Sequence, residues 1–184
     1  MSNVQTIPLR ESSRPSAPAR RIGFTLIEIL IVVVILGILA AIVIPQFSNA
    51  SQTARENTLR DELRYLRTQI LVYQAQHNDV SPGYPTGSAS VPTEAAFLDQ
   101  MTNFSNQFSA TNATFSATLF PYGPYLSAMP PNSVNSKTKV TVIPNNASFP
   151  LPDGTGGFIY QPQTATIKAN LTSTDTNGVA FSSY

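Results

Sequence analysis

The sequence predicts an α+β protein in which a long N-terminal helix packs on a small antiparallel β-sheet. Three patterns predict this fold. Residues 24–44 are almost entirely apolar, apolar residues within 59–73 recur every three or four positions, and apolar and polar residues alternate in short segments after position 138. The 184 residues suit one modest globular domain plus an accessory segment.

Residues 1–23 are rich in Ser, Pro and Arg and lack helical or strand periodicity, so we expect a leader peptide that is removed. Arg20 and Arg21 stand directly before the apolar run. Because positive charge flanking a membrane segment tends to remain in the cytoplasm, we expect a cytoplasmic N-terminus and a C-terminal domain on the other side of the membrane.

Residues 24–45 are predicted to form a transmembrane helix. Thr25 and Glu28 carry its only polar side chains, and an apolar run of 21 residues is roughly 30 Å long as a helix, the thickness of a bilayer's hydrocarbon core. Pro45 lacks a backbone donor and crowds the preceding turn, and Gly37 is a second weak point, so we expect a kink here.

Residues 46–76 are predicted to be the amphipathic half of the same helix. A stripe of apolar residues at helical spacing consists of Leu59, Leu63, Leu66, Ile70 and Tyr73. Charged residues occupy the rest of the surface, and two ion pairs are predicted along it, Glu56 with Arg60 and Asp61 with Arg64.

Residues 77–184 are predicted to form the globular α+β domain. The predicted elements are a short helix near 94–101, a loop-rich stretch at 102–118, and strands at 139–142, 158–160 and 165–169 with a turn at Pro162-Gln163. His77 is expected to be a solvated or capping residue at the end of the long helix.

Composition excludes several functions. The chain has no cysteine and one histidine, and it lacks a Gly-x-Ser-x-Gly motif, so neither a thiolate site nor a serine triad is expected and we predict that it is not an enzyme. Beyond the leader there is no basic stripe with interleaved aromatics, so nucleic acid is not an expected partner.

Residues 21–28, Arg-Ile-Gly-Phe-Thr-Leu-Ile-Glu, run into the apolar helix and resemble the prepilin-type cleavage and methylation motif of type IV pilins and type II secretion pseudopilins. Gly23 has no side chain, so a peptidase can approach its backbone closely. A cut before Phe24 would free an amine that only Glu28 can neutralise, within one helix or between subunits. The resemblance implies pairing between subunits.

The resemblance also implies a pilin-like fold, N-methylation of Phe24, a role in assembly for Glu28, and Gly37 and Pro45 at the positions usual for this family. It implies a non-enzymatic structural subunit, the major G-like pseudopilin. This subunit would be processed by the prepilin peptidase/methyltransferase and would polymerise with itself into a helical periplasmic filament. Its other expected partners are the lipid bilayer, the inner-membrane assembly platform and the minor pseudopilins.

The short globular domain and the absence of cysteine favour a pseudopilin over a surface pilin, as does the similarity of residues 122–126 and 129–132 to G-like pseudopilins. A type IV pilus subunit or a minor pseudopilin is the alternative within this class. A membrane-anchored binding domain, which would keep residues 1–23, is the alternative of another class.

G-like pseudopilins bind calcium through a C-terminal loop, which makes Asp153, Asp175 and Asn177 weak calcium candidates. Asp-Gly and Asn-Gly pairs form tight turns without an ion, and calcium requires six to eight oxygen ligands. Few acidic residues lie near these positions in the sequence. Turns are therefore favoured, and no cofactor is expected.

Overall fold

The computed structural model describes residues 23–184, so the predicted leader, apart from Gly23, lies outside the described residues together with Arg20 and Arg21. Contacts divide the chain into two units, Met1–Ile44 and Pro45–Tyr184. Helix α1 (Leu26–Gln76) starts in the first unit and remains helical through Pro45.

In the first unit, α1 is apolar on all sides and its side chains are exposed. By length and composition, this helix is able to cross a membrane. A helix that is apolar all round needs an apolar environment, either lipid or other protein. Gly37 and Pro45 both lie inside the helix, and the kink between them stays a prediction.

In the second unit, the predicted stripe of α1 lies in the core. Leu59, Leu63, Leu66, Ile70 and Tyr73 all have 0% exposure. They belong to one apolar cluster that also contains Phe97, Met101, Phe158, Tyr160 and Ile167. The 3-and-4 spacing therefore predicted the buried face of the helix correctly.

Of the two predicted ion pairs on α1, Asp61 with Arg64 is confirmed, with 2.9 Å between Oδ1 and Nη1. The pair of Glu56 with Arg60 is wrong. Glu56 accepts hydrogen bonds from Gln52 and Thr176, and Arg60 pairs with Asp175. Both side chains contact the C-terminal segment, because the buried Glu56 and the half-buried Arg60 face the globular domain instead of solvent.

Helix α2 (Glu94–Thr102) confirms the predicted short helix. Thr93 caps it, since its hydroxyl accepts a hydrogen bond from the Ala96 amide at 3.1 Å. The following stretch, predicted to be rich in loops, contains two very short antiparallel strands, β1 (Phe104–Ser105) and β2 (Thr111–Asn112).

The main sheet contains β3 (Val140–Val142), β4 (Phe158–Gln161) and β5 (Thr166–Ala169), in the spatial order β3-β4-β5. A short 3₁₀ helix, Pro162–Thr164, forms the predicted turn between β4 and β5, and a second 3₁₀ helix covers Phe181–Ser183. The long helix with small sheets confirms the predicted α+β class.

The expectation that this sheet is entirely antiparallel is wrong in one pairing. β4 and β5 are antiparallel, but β3 runs parallel to β4, with Val140 opposite Phe158. The connection of residues 143–157 contains three prolines and is too long for a tight hairpin. It leads the chain back to the start of β3, where Gly157 passes so close to the Lys137 carbonyl that a Cβ atom would clash.

His77 is buried, contrary to the expectation of a solvated or capping residue. Its ring stacks on Tyr73 with 3.7 Å between centroids and meets Tyr122 and Tyr125 edge-on. Nδ1 lies 2.7 Å from the Tyr73 carbonyl and Nε2 lies 3.0 Å from the Ser105 hydroxyl. Because a carbonyl can only accept, Nδ1 carries the proton and Nε2 accepts from Ser105.

Candidate processing and assembly segment

The N-terminus of α1 is closed by a capping box formed by Thr25 and Glu28. The Thr25 amide donates to Glu28 Oε2 at 2.8 Å, and the Glu28 amide donates to Thr25 Oγ1 at 3.2 Å. The Thr25 hydroxyl donates to the same Oε2 at 2.7 Å. This reciprocal arrangement satisfies backbone donors that the first turn of a helix otherwise leaves free.

This role of Glu28 was not predicted. The sequence nevertheless contains a signal for it, because Thr-x-x-Glu directly before an apolar run is the spacing of a capping box. Glu28 Oε1 accepts no hydrogen bond from the part of the chain that the structure describes. One carboxylate oxygen therefore holds the end of its own helix, and the other is available to a donor from elsewhere.

Gly23 and Phe24 precede the helix and have no regular secondary structure. A Cβ atom added to Gly23 would meet nothing within 4 Å, and Phe24 is 83% exposed. The peptide bond between them is therefore accessible in the described structure. Phe24 is followed directly by the capping residue Thr25, so the bond lies immediately outside the capped helix.

Asp175, one of the calcium candidates, is buried and bonded to protein donors on both oxygens. Oδ2 accepts from Arg60 at 2.7 Å and from the Tyr184 hydroxyl at 2.5 Å, and Oδ1 accepts from the backbone amides of Asn177 and Val179, each at 2.8 Å. The hydrogen bond from Tyr184 is the main cause of the lowered pKa of Asp175. This carboxylate joins the C-terminal segment to α1.

Asp153, the second candidate, organises a turn. Its Oδ1 accepts from the Thr155 amide and hydroxyl and from the Asn170 side-chain amide, at 2.8–2.9 Å. These bonds, led by that of the Thr155 amide, lower the pKa of Asp153 to about 2. Protein donors therefore hold one oxygen of this exposed carboxylate without an ion.

Neither calcium candidate loop lies in a cluster of potential metal ligands, because within residues 23–184 no group of three or more acidic or histidine side chains converges. The Asp175 carboxylate pairs with Arg60, a cation already in place, and accepts the backbone amide of Asn177. Protein donors therefore satisfy the Asp175 carboxylate without an ion.

Comparison with known proteins finds one family motif and several partial relatives. Residues 18–44 match the family described as the prokaryotic N-terminal methylation motif. Type II secretion system core protein G of Pseudomonas aeruginosa is 42% identical over 52 residues, which are 28% of this chain and 37% of that protein. Type IV major fimbrial protein FimA of Dichelobacter nodosus is 50% identical over 48 residues, 26% of this chain and 31% of the relative.

A ComG operon protein 3 homolog of Bacillus licheniformis is 33% identical over 60 residues, covering 33% of this chain and 62% of that protein. No solved structure matches the chain significantly. The chain spans about a third of the length of the secretion and fimbrial relatives, 37% of the former and 31% of the latter.

The methylation motif, the apolar N-terminal helix and the α+β arrangement define a pilin-like protein. More particularly, the chain is similar over part of its length to a type II secretion core protein and to a type IV fimbrial protein.

Proposed function

We propose that this chain is the major pseudopilin of a type II secretion system, a structural subunit that assembles into a periplasmic filament. The observation that carries the proposal is the accessible Gly23–Phe24 bond, which directly precedes a capped apolar helix with Glu28 in its first turn. The motif match over residues 18–44 supports it. The proposed activity is assembly and involves no catalysis.

In this proposal, the prepilin peptidase/methyltransferase cuts before Phe24 and methylates the new amine. That amine then lies in an apolar segment where an unpaired charge is costly. Glu28 Oε2 already caps its own helix, so Oε1 of a neighbouring copy is the acceptor that pairs with the amine. Such a contact, repeated from copy to copy, fixes the axial register of an open helical polymer.

Before assembly, the subunit is a single-pass protein of the inner membrane with a cytoplasmic leader and a periplasmic globular domain. Residues 24–45 form the membrane and filament-core helix, 46–76 its amphipathic half, and 77–184 the globular domain. Gly37 and Pro45 are the proposed kink positions, where the helix can extend during packing. The assembly platform, the minor pseudopilins and the lipid bilayer are the proposed partners.

Processing is tested by the intact mass and N-terminal residue of protein purified from its native membrane. Gly23→Ala and Gly37→Ala are matched variants, because an added Cβ atom at either position meets nothing within 4 Å. We expect wild type and Gly37→Ala to begin with methyl-Phe24 and Gly23→Ala to keep its leader. A leader retained in all three proteins would refute processing and leave a membrane-anchored binding domain.

The role of Glu28 is tested by two variants that separate its charge from its cap. Glu28→Gln keeps a capping residue at this helix position but removes the charge, whereas Thr25→Ala removes the capping hydroxyl and keeps the charge. If the carboxylate pairs between subunits, Glu28→Gln abolishes filaments while Thr25→Ala weakens them less. Equal filament yields from Glu28→Gln and wild type would refute the charge role.

A surface pilus subunit is the second candidate, because the fimbrial relative is similar over a stretch of comparable length, 48 residues against 52 for the secretion relative. Deletion of the gene in its own bacterium separates the two functions. Loss of protein secretion with surface fibres intact supports the pseudopilin, and loss of fibres with secretion intact supports the pilin.

A further inference from the structure

Residues 100–136 form a run of 37 positions without a single charged side chain or histidine. Asp99 and Lys137 are the flanking charges. The run is instead rich in Asn, Gln, Ser and Thr, with aromatic residues among them. Such a composition is unusual for a surface segment, because charged residues normally supply much of a protein's surface.

Three large apolar side chains of this run are exposed. Phe108 is 71% exposed, Leu119 is 65% exposed and Phe115 is 55% exposed, and Phe115 is in edge contact with the half-buried Phe104. Exposed apolar groups that cluster within one segment, instead of being scattered singly, are typical of an interaction site.

Part of this surface forms a groove with a volume of about 360 Å³, which is near the lower end for small-ligand pockets. We name it the aromatic groove, and its lining consists of Asn106, Gln107, Phe108, Thr118, Leu119, Pro121 and Tyr122. No lining residue is charged. Among the described residues, the Gln107 side-chain amide and the Thr118 hydroxyl have no hydrogen-bond partner, so both remain available to a ligand.

The groove is held in place by the core beneath it. Ser105 and Tyr122 exchange two backbone hydrogen bonds, at 2.9 and 3.1 Å, and buried His77 accepts from the Ser105 hydroxyl. Asn106 Oδ1 accepts from the amides of Phe108 and Ala110 and so fixes the turn that presents the Phe108 ring. A site held in this way loses little conformational entropy when it binds.

We propose that the aromatic groove binds a neutral oligosaccharide. A pyranose ring has an apolar C–H face that packs on exposed rings and a rim of hydroxyls that bond to amide and hydroxyl groups. The groove offers both kinds of group, with exposed Phe108 and half-buried Tyr122 as rings and Gln107 and Thr118 as polar partners. An ionic ligand would lose hydration without gaining a countercharge, so the uncharged lining selects against it.

The test measures saturation-transfer NMR from the full-length chain in detergent micelles to neutral chitotetraose and maltotetraose, with anionic tetragalacturonate as the charged probe. At least one neutral probe should bind with a Kd in the range of about 0.1–5 mM, and tetragalacturonate should not bind. Phe108→Ala and Leu119→Ala should each weaken binding by about tenfold or more. Val91→Ala is the matched control, because Val91 is equally exposed at 71% but lies outside the groove, and this variant should bind like wild type.

Absence of binding to both neutral probes would overturn the proposal, and so would binding that survives Phe108→Ala. Light scattering on the same samples tests whether a second copy of the chain occupies the groove instead. If Phe108→Ala changes the self-association of the chain and leaves saccharide binding unaltered, the groove is a contact between copies. Because binding is measured on the precursor, the result does not depend on cleavage or filament assembly.

Discussion

Replacing His77 by Phe tests how the core holds the segment that carries the aromatic groove. The variant keeps an aromatic ring that can stack on Tyr73 but removes both ring nitrogens. The Ser105 hydroxyl and the Tyr73 carbonyl then lose their bonds to residue 77. His77, Tyr73 and Ser105 are all fully buried, so water does not easily replace the lost partners.

The magnitude follows from these two losses. A buried polar group left without a partner costs about 1–3 kcal/mol, so the two losses should lower the free energy of unfolding of His77→Phe by about 2–6 kcal/mol. His77→Ala also removes the stacked ring and leaves a cavity, and it should cost about 2 kcal/mol more. The difference between the two variants separates the ring's packing from its hydrogen bonds.

His77→Phe should also change how the free energy of unfolding depends on pH. Burial is the main cause of the lowered pKa of His77. The rings that face it are tyrosines, and burial raises the pKa values of two of them, Tyr73 and Tyr125. As pH falls below about 6.5, the unfolded state binds a proton before the folded state does. This histidine therefore makes stability fall by up to about 1.4 kcal/mol per pH unit until the lower folded pKa is reached.

The assay is urea unfolding of the full-length chain in detergent micelles between pH 7.5 and about 5, followed by the near-ultraviolet circular dichroism of the tyrosines. Other groups also titrate, and the pKa of Glu62 is raised chiefly by burial, so the comparison is between wild type and variant at each pH. Parallel pH profiles for wild type and His77→Phe, or a loss below about 1 kcal/mol at pH 7.5, would refute the reasoning.

Two further predictions concern the same globular unit. Leu66→Ala, at a fully buried position of the stripe, should cost about 2–5 kcal/mol in the free energy of unfolding. Leu71 lies on the same helix but is 61% exposed, so Leu71→Ala should change the free energy of unfolding by less than about 0.5 kcal/mol. Equal losses of stability in the two variants would contradict the assigned buried face. Asp175→Asn removes the charge that pairs with Arg60, so hydrogen exchange of the C-terminal amides should become faster than in wild type, whereas Asp99→Asn, an exposed carboxylate, should leave it unchanged. If both variants exchange like wild type, the Arg60–Asp175 contact does not hold the C-terminal segment.

The candidate site illustrates how far sequence reasoning reached. The Gly-Phe junction, Glu28 and the apolar run are contiguous in the chain, so their pattern is visible without a fold. The capping box was equally visible as Thr-x-x-Glu but was missed, because Glu28 was interpreted only as a charge in an apolar segment. The aromatic groove was not foreseen, since it joins residues 106–108 to 118–122 through short strands and backbone bridges.

Elements with a local cause could be predicted from the amino-acid sequence. An apolar stretch long enough to span a bilayer, a 3.6-residue period that selects one buried face, and a proline-containing turn between two strands each depend on neighbours within a few positions.

Contacts between groups far apart in the chain could not be predicted in this way, because they depend on the packing of the whole domain. In the folded domain, Arg60 pairs with Asp175 instead of Glu56, buried His77 contacts Ser105, and β3 runs parallel to β4. The physical reason is that a charge or a ring nitrogen has many local partners of similar energy in water. The choice among them depends on which remote backbone amide, hydroxyl or carboxylate is desolvated beside it, and this is set by how the whole domain packs.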